Sequence, residues 1–226
     1  LGKVGGSAYE HIDPADVGNH TRVLVSDLGG RAGMSMKAQE FGVELDGRAA
    51  GELSERLKVL EAEGFVFEAA DASLELLMRR STGWEHDFFS VEGYRVSSYH
   101  REGAVLAGSE SPDLSTEATV KLWIGDSQDA VRIASVGEGN GPVNALDAAL
   151  RAALTDRYPA LASIHLIDFK VRILDMSAST DAVTRVLIDS TNGTDTWTTI
   201  GVSSNIIEAS WMALVDALVF GLLKTD

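Results

Sequence analysis

Apolar residues along this chain fall first at helical and then at strand spacing. Up to about residue 87 the rhythm is helical. Gly33 to Phe41 predicts a short helix, and Leu53, Leu57, Leu60 and Phe65 recur near helical spacing from Ser54 onward, with Glu and Arg between them. A third amphipathic stretch, Ala72 to Arg80, carries Leu74, Leu77 and Met78 and ends near Gly83. Short helices with one apolar face each predict an adaptor that packs on something else. From Phe88 the period becomes two: Tyr94 to Tyr99, Ala118 to Ile124 and Val131 to Val136 read as strands. The glycine-rich Gly137 to Pro142 follows. A helix is then predicted from about Val143 to Tyr158, with Val143, Leu146, Leu150 and Leu154 on one side.

The pattern repeats. Ile164 to Leu174, Thr184 to Ser190 and Trp197 to Val202 read as strands, the last two joined at Asn192-Gly193. A helix begins near Asn205, with Ile207, Trp211, Leu214 and Leu218 on one face. The expected fold class is therefore α+β: a helical adaptor over residues 1–87, then a duplicated βββα region over 88–226, divided at about 160. Each unit has a one-sided sheet that needs a partner, so sheets and helices are expected to pack together across a homodimer.

Composition narrows the function. Of 226 residues 45% are hydrophobic, enough for a core, and the net charge of −15 argues against nucleic acid and against an anionic membrane surface. The chain has no cysteine, which excludes disulfides, thiolate metal sites and cysteine nucleophiles. No apolar run approaches the roughly 20 residues of a membrane span, and Leu1 to Ser7 lacks a signal-peptide pattern. These features predict a cytoplasmic protein, and the opening without Met predicts a piece of a longer one.

Candidate catalytic chemistry is sparse. His11, His20, His86, His100 and His165 stand singly, Glu85-His86-Asp87 reads as a solvated loop, and no nucleophile elbow or phosphate-binding glycine loop is present. No metal site is expected. The run Gly137-x-Gly139-Asn140-Gly141-Pro142 carries more content: glycines permit close backbone approach and positive φ, and a helix start suits a carboxylate. An ordinary strand-to-helix turn reads the same way. The strand after the helix offers Leu166, Phe169 and Ile173 as apolar bulk, with Asp168 and Lys170 between them. A carboxylate-binding turn beside an apolar pocket, with an acid for an ammonium, would recognise a branched-chain amino acid.

Further motifs carry a resemblance. Tyr9-Glu-His-Ile-Asp-Pro14, Val17-Gly-Asn19, Val23 through Arg31, Gly139-Asn-Gly-Pro-Val143 and Gly201-Val-Ser-Ser-Asn-Ile-Ile-Glu-Ala-Ser210 together resemble the C-terminal adaptor and regulatory (dimerisation) region of the 2-isopropylmalate synthase family, in its citramalate synthase branch. The resemblance implies a parent enzyme that condenses acetyl-CoA with a 2-oxo acid on a metal-dependent barrel absent from this sequence, so no catalytic residue or cofactor is expected here. It implies feedback by a branched-chain amino acid: isoleucine, or alternatively leucine as in the isopropylmalate branch. A purely structural dimerisation role is the remaining alternative. The residues implied for the effector are Gly139, Asn140, Gly141, Pro142, Val143, Leu166, Asp168, Phe169, Ile173, Ala182 and Thr184. Family members often carry Tyr where Phe169 stands. Tyr9 resembles an adaptor tyrosine that reaches the catalytic centre of the same chain's barrel.

Overall fold

The computed structural model describes residues 30–85, 88–100, 114–125, 129–174 and 182–225. Three helices lead: α1 (Gly30–Glu40), α2 (Gly47–Glu63) and α3 (Asp71–Ser81). The carboxylate of Asp46 caps α2 by accepting from Ala49 N at 2.7 Å, and Gly64, at φ 113°, ends it in the left-handed conformation that glycine adopts without penalty. Phe65 thus lies beyond the helix. Lys37, almost wholly buried, meets Glu40 at 3.0 Å and Asp71 at 3.5 Å and so ties α1 to the start of α3.

Two units with the same element order follow. The first is β1 (Phe89–His100), β2 (Leu114–Ile124), β3 (Val131–Gly139) and α4 (Pro142–Leu154). After a short 3₁₀ turn (Pro159–Ser163), the second is β4 (His165–Ile173), β5 (Thr184–Thr191), β6 (Thr196–Ser203) and α5 (Ile206–Leu223). Each sheet is antiparallel, in the orders β1-β2-β3 and β4-β5-β6. The predicted α+β class and its βββα duplication are therefore present among the described residues.

Glycine sets how closely helix and sheet approach. Each helix carries alanines one turn apart: Ala145, Ala149 and Ala153 in α4, Ala209, Ala213 and Ala217 in α5, all buried. A side chain at Gly137 would meet Ala149 N at 2.3 Å and Ala145 O at 2.7 Å; one at Gly201 would meet Ala209 O at 1.9 Å. Gly137 and Gly139 thus belong to strand β3, contrary to the expected turn. Positive φ among the described glycines occurs elsewhere, and Gly141 is extended at φ −171°. Gly137 and Gly139 are small because a helix backbone lies against them.

Helix α4 ends at Leu154, short of the expected Tyr158. Tyr158 N still bonds Leu154 O at 2.8 Å, but Tyr158 itself is pushed out of helical geometry before Pro159. Four residues, not two, separate the paired ends of β5 and β6, with Gly193 at φ 91°.

One core runs through both units, joining Leu146, Leu150 and Leu154 of α4 to Leu214 and Leu218 of α5. A second joins Phe65 and Phe67, between α2 and α3, and Leu74 and Met78 of α3 to Ile200 and Val202 on the outer face of β6. Helix α5 has the length and hydropathy of a membrane span, a feature not read from the sequence pattern, but most of it is inside the protein. An all-round apolar helix is what a core helix looks like.

Candidate functional site

Between α4, the 3₁₀ turn and the start of β4 lies a groove of about 640 Å³. Val143, Asp147, Arg151 and Thr155 line it at one-turn spacing along α4. Leu161 and Ala162 form one end, and His165, Leu166 and Phe169 the opposing wall. Leu166 and Phe169 share a wall because β4 is irregular between Leu166 and Asp168: Leu166 pairs with Ser190 and Phe169 with Ile188, two residues of one sheet face. Arg151 braces the groove, donating from Nε to Asp147 Oδ2 at 2.8 Å and from Nη1 to Leu161 O at 2.8 Å. Among the described residues, Asp147 Oδ1 is the one buried side-chain oxygen without a hydrogen-bond partner.

Of the effector residues implied by the sequence, Val143, Leu166 and Phe169 come together here. Gly139 closes β3 beneath Asn144, and Asn140 N donates to Asn144 Oδ1 at 3.2 Å. Gly141 is the N-cap of α4 without a side-chain bond, and Pro142 is the first helical residue. These four lead into the groove and do not line it. Asp168 stands on the opposite face of β4 from Phe169, next to Lys170 at 2.8 Å; Lys170 also meets Asp189 at 2.9 Å. The Lys170 ammonium, then the Phe169 N–H, hold the Asp168 carboxyl below its ordinary value. Ile173 is exposed at the far end of β4, opposite the buried Thr184, and Ala182 is buried just before β5. Tyr9, and the turn expected at Ser179 to Asp181, lie outside the described residues.

Sequence reasoning passed over Asn144, Asp147, Arg151 and Thr155. Extending the helical stripe from Val143 by whole turns reaches Asp147, Arg151 and Thr155.

The second unit has a counterpart. Aligning Gly137 with Gly201 and following the strand registers places Tyr94 of β1 where Phe169 stands in β4. The two edge strands even share an irregularity at the same point, between Val91 and Gly93 in β1. Counting from the paired alanines, Trp211 of α5 stands where Asp147 stands in α4. There the space is filled: the Tyr94 and Trp211 rings lie 4.6 Å apart, and Tyr94 Oη donates to Glu208 Oε2. Burial, and secondarily that carboxylate, push the Tyr94 hydroxyl well above its ordinary value, so it stays protonated. Further along α5, Asp216 accepts from Arg80 at 2.8 Å and Ser73 at 3.0 Å on α3; Ile200 N of β6 donates to the same Ser73 Oγ at 3.1 Å. Among the described residues no three His, Asp or Glu side chains are grouped to hold a metal ion.

This duplicated helix-on-sheet frame agrees with a comparison against known families. The model described as LeuA allosteric (dimerisation) domain matches residues 68–222. The chain belongs to the LeuA allosteric (dimerisation) domain family. It is similar to (R)-citramalate synthases: that of Streptomyces coelicolor is 47% identical over 225 residues, covering 98% of this chain and 40% of its own length. The enzyme of Aquifex aeolicus is 47% identical over 220 residues, 96% of this chain and 40% of its own. That of Geobacter sulfurreducens is 43% identical over 220 residues, again 96% and 40%. This LeuA-type chain thus spans about 40% of the length of these relatives.

Proposed function

We propose that this chain is the regulatory portion of an (R)-citramalate synthase and takes isoleucine, the end product of that enzyme's pathway, in the groove between α4 and β4. The observation that carries the reading is the meeting there of Val143 of α4 with Leu166 and Phe169 of β4 around a cavity sized for a small ligand. The apolar wall suits a branched side chain, and the unpaired N–H groups at the start of α4 suit its carboxylate. Similarity to citramalate synthases along nearly the whole chain favours isoleucine over leucine.

In the same reading a second copy of the chain covers the exposed apolar residues of β4: Leu166, Ile167, Val171 and Ile173. The parent enzyme, with its metal-dependent barrel, condenses acetyl-CoA with pyruvate; this portion supplies control. Occupancy of the groove alters how α4 and β4 sit together. Helix α5, which packs on α4 and is bonded to α3, carries the change to the leading helices. An effector moves that equilibrium only by its difference in affinity for the two states.

Calorimetric titration with isoleucine, leucine and valine, beside sedimentation of the free chain, tests this. Isoleucine binding by a dimer is expected. Preference for leucine would move the parent to the isopropylmalate branch, and a folded dimer that binds none of the three would leave dimerisation alone.

A further inference from the structure

The groove presents two candidate acids for an amino-acid ammonium, and they differ in placement. Asp168, the acid picked out in the sequence, faces away from Phe169 and is already neutralised by Lys170. Asp147 lies in the groove wall itself. One of its oxygens is bonded to Arg151, and the other is shut away from water with no donor. A carboxylate oxygen left in that state costs free energy unless something else completes it. Its side chain is 22% exposed, so it is reachable from the groove, and the carboxylate torsion is soft enough to turn either oxygen toward a ligand. The equivalent position in the second unit holds Trp211, which fills the corresponding space with Tyr94. The acid stands where the cavity is open, and the indole stands where it is closed.

We infer that Asp147 is the ammonium-accepting group of this groove, and that it makes the site select an α-amino acid over the 2-oxo acid with the same side chain. The inference rests on the effector reading above and adds the group that fixes ligand class. The geometry agrees: helical side chains lean toward the N-terminus, so Asp147 leans back along α4 toward Val143, four residues or about 6 Å earlier. An α-amino acid whose side chain lies against Leu166 and Phe169 would present its ammonium to Asp147. A 2-oxo acid offers no donor there and would set a carbonyl oxygen against a carboxylate. Selection of this kind matters in a protein whose relatives are synthases that consume 2-oxo acids, because a control site open to such acids would answer to substrate as well as to product.

The test titrates the chain, Asp147→Asn and Asp168→Asn with L-isoleucine, L-leucine and the 2-oxo acid bearing isoleucine's side chain, with thermal melts to confirm folding. The unsubstituted chain is expected to bind an amino acid and to prefer it to the oxo acid by roughly ten- to a hundredfold, the range of a charged hydrogen bond. Asp147→Asn should melt normally, weaken amino-acid binding by a comparable factor and lose the preference; Asp168→Asn should change neither. If Asp147→Asn binds the amino acid as tightly as the unsubstituted chain, the assignment of Asp147 falls and the effector reading stands. If the unsubstituted, folded chain binds no amino acid, both fall together. Should Asp147→Asn fail to melt cooperatively, Asp147→Glu, which keeps the charge and the bond to Arg151, is expected to retain the preference; its loss there would also overturn the assignment.

Discussion

The two βββα units share a frame and differ in what stands along one helix face. In both, glycine in the third strand lets the helix backbone lie against the sheet, and alanines one turn apart mark the line of contact. In the first unit the next stripe of the helix is Val143, Asp147, Arg151 and Thr155, and it borders an open groove. In the second the matching stripe is Ile207, Trp211, Val215 and Val219; Tyr94 stacks on Trp211 and is bonded to the neighbouring Glu208, and α2 and α3 border a smaller cavity of about 340 Å³ beside Trp211 and Val215. The outer sheet faces differ likewise. Along β6 that of the second unit is buried under Phe65, Phe67 and Met78, whereas the first presents charge, with Arg132 gripping Glu92 through Nε and Nη2 at 2.6 and 2.8 Å. One frame therefore serves as a junction on one side and offers a cavity on the other, because the contact line with the sheet leaves the neighbouring stripe free to vary.

The shared frame is the easiest part to break. Gly201→Val and Gly137→Val each set side-chain carbons inside the backbone of a packed helix, so both should exceed the usual penalty of about 1–3 kcal/mol for an overpacked core. Urea unfolding of each is expected to show little or no folded protein, while Gly141→Val, where an added carbon meets nothing within 4 Å, unfolds like the parent. A well-folded Gly137→Val would mean that the two units do not share their helix contact. Trp211→Ala comes next, at about 3–5 kcal/mol for removing a large buried aromatic, read from the same unfolding curves. Its mirror image, Asp147→Trp, puts the second unit's residue into the first; it should leave a folded protein whose groove no longer takes an amino acid in calorimetry.

Smaller effects sharpen the junction. Asp216→Ala strips Arg80 and Ser73 of their acceptor; allowing for the solvent around Arg80, a loss of about 1–2 kcal/mol is expected. Amide exchange should then rise in α3 before it rises in α4. The least effect concerns acid. The Ala49 N–H lowers the Asp46 carboxyl in the folded chain, so this cap stabilises fully above the ordinary value of 3.8 and is lost as pH falls through the lower folded one. Melting temperature should decline over that range, and less steeply in Asp46→Asn.

Much of this frame was legible from period alone. The change from helical to alternating spacing near Phe88 marks where sheet begins, and the return of the same order after Tyr158 reveals the duplication. Glycine misled, because spacing cannot separate a glycine needed for positive φ from one needed for a helix backbone to come near; Gly137 and Gly139 are of the second kind. The groove was legible in part. Val143, Leu166 and Phe169 were found, but strict alternation, which sets Leu166 on the face opposite Phe169, cannot anticipate the irregularity between Leu166 and Asp168 that brings Leu166 round to Phe169 and leaves Asp168 behind. Asp147 escaped for a different reason: an acid one turn from an arginine usually marks a solvated helix face, and only its tertiary neighbours show that one of its oxygens is enclosed.

Helix α5 bears on how the molecule is made. Everything it covers precedes it in the chain: Ser73 and Arg80 of α3, Tyr94 of β1, the inner faces of β5 and β6, and the flank of α4. A ribosome releases a chain from its N-terminus onward, so each of these surfaces leaves the exit tunnel before its cover. For the interval of synthesis in between, the emerging chain carries an apolar seam on both units at once, and α5 closes them in one step.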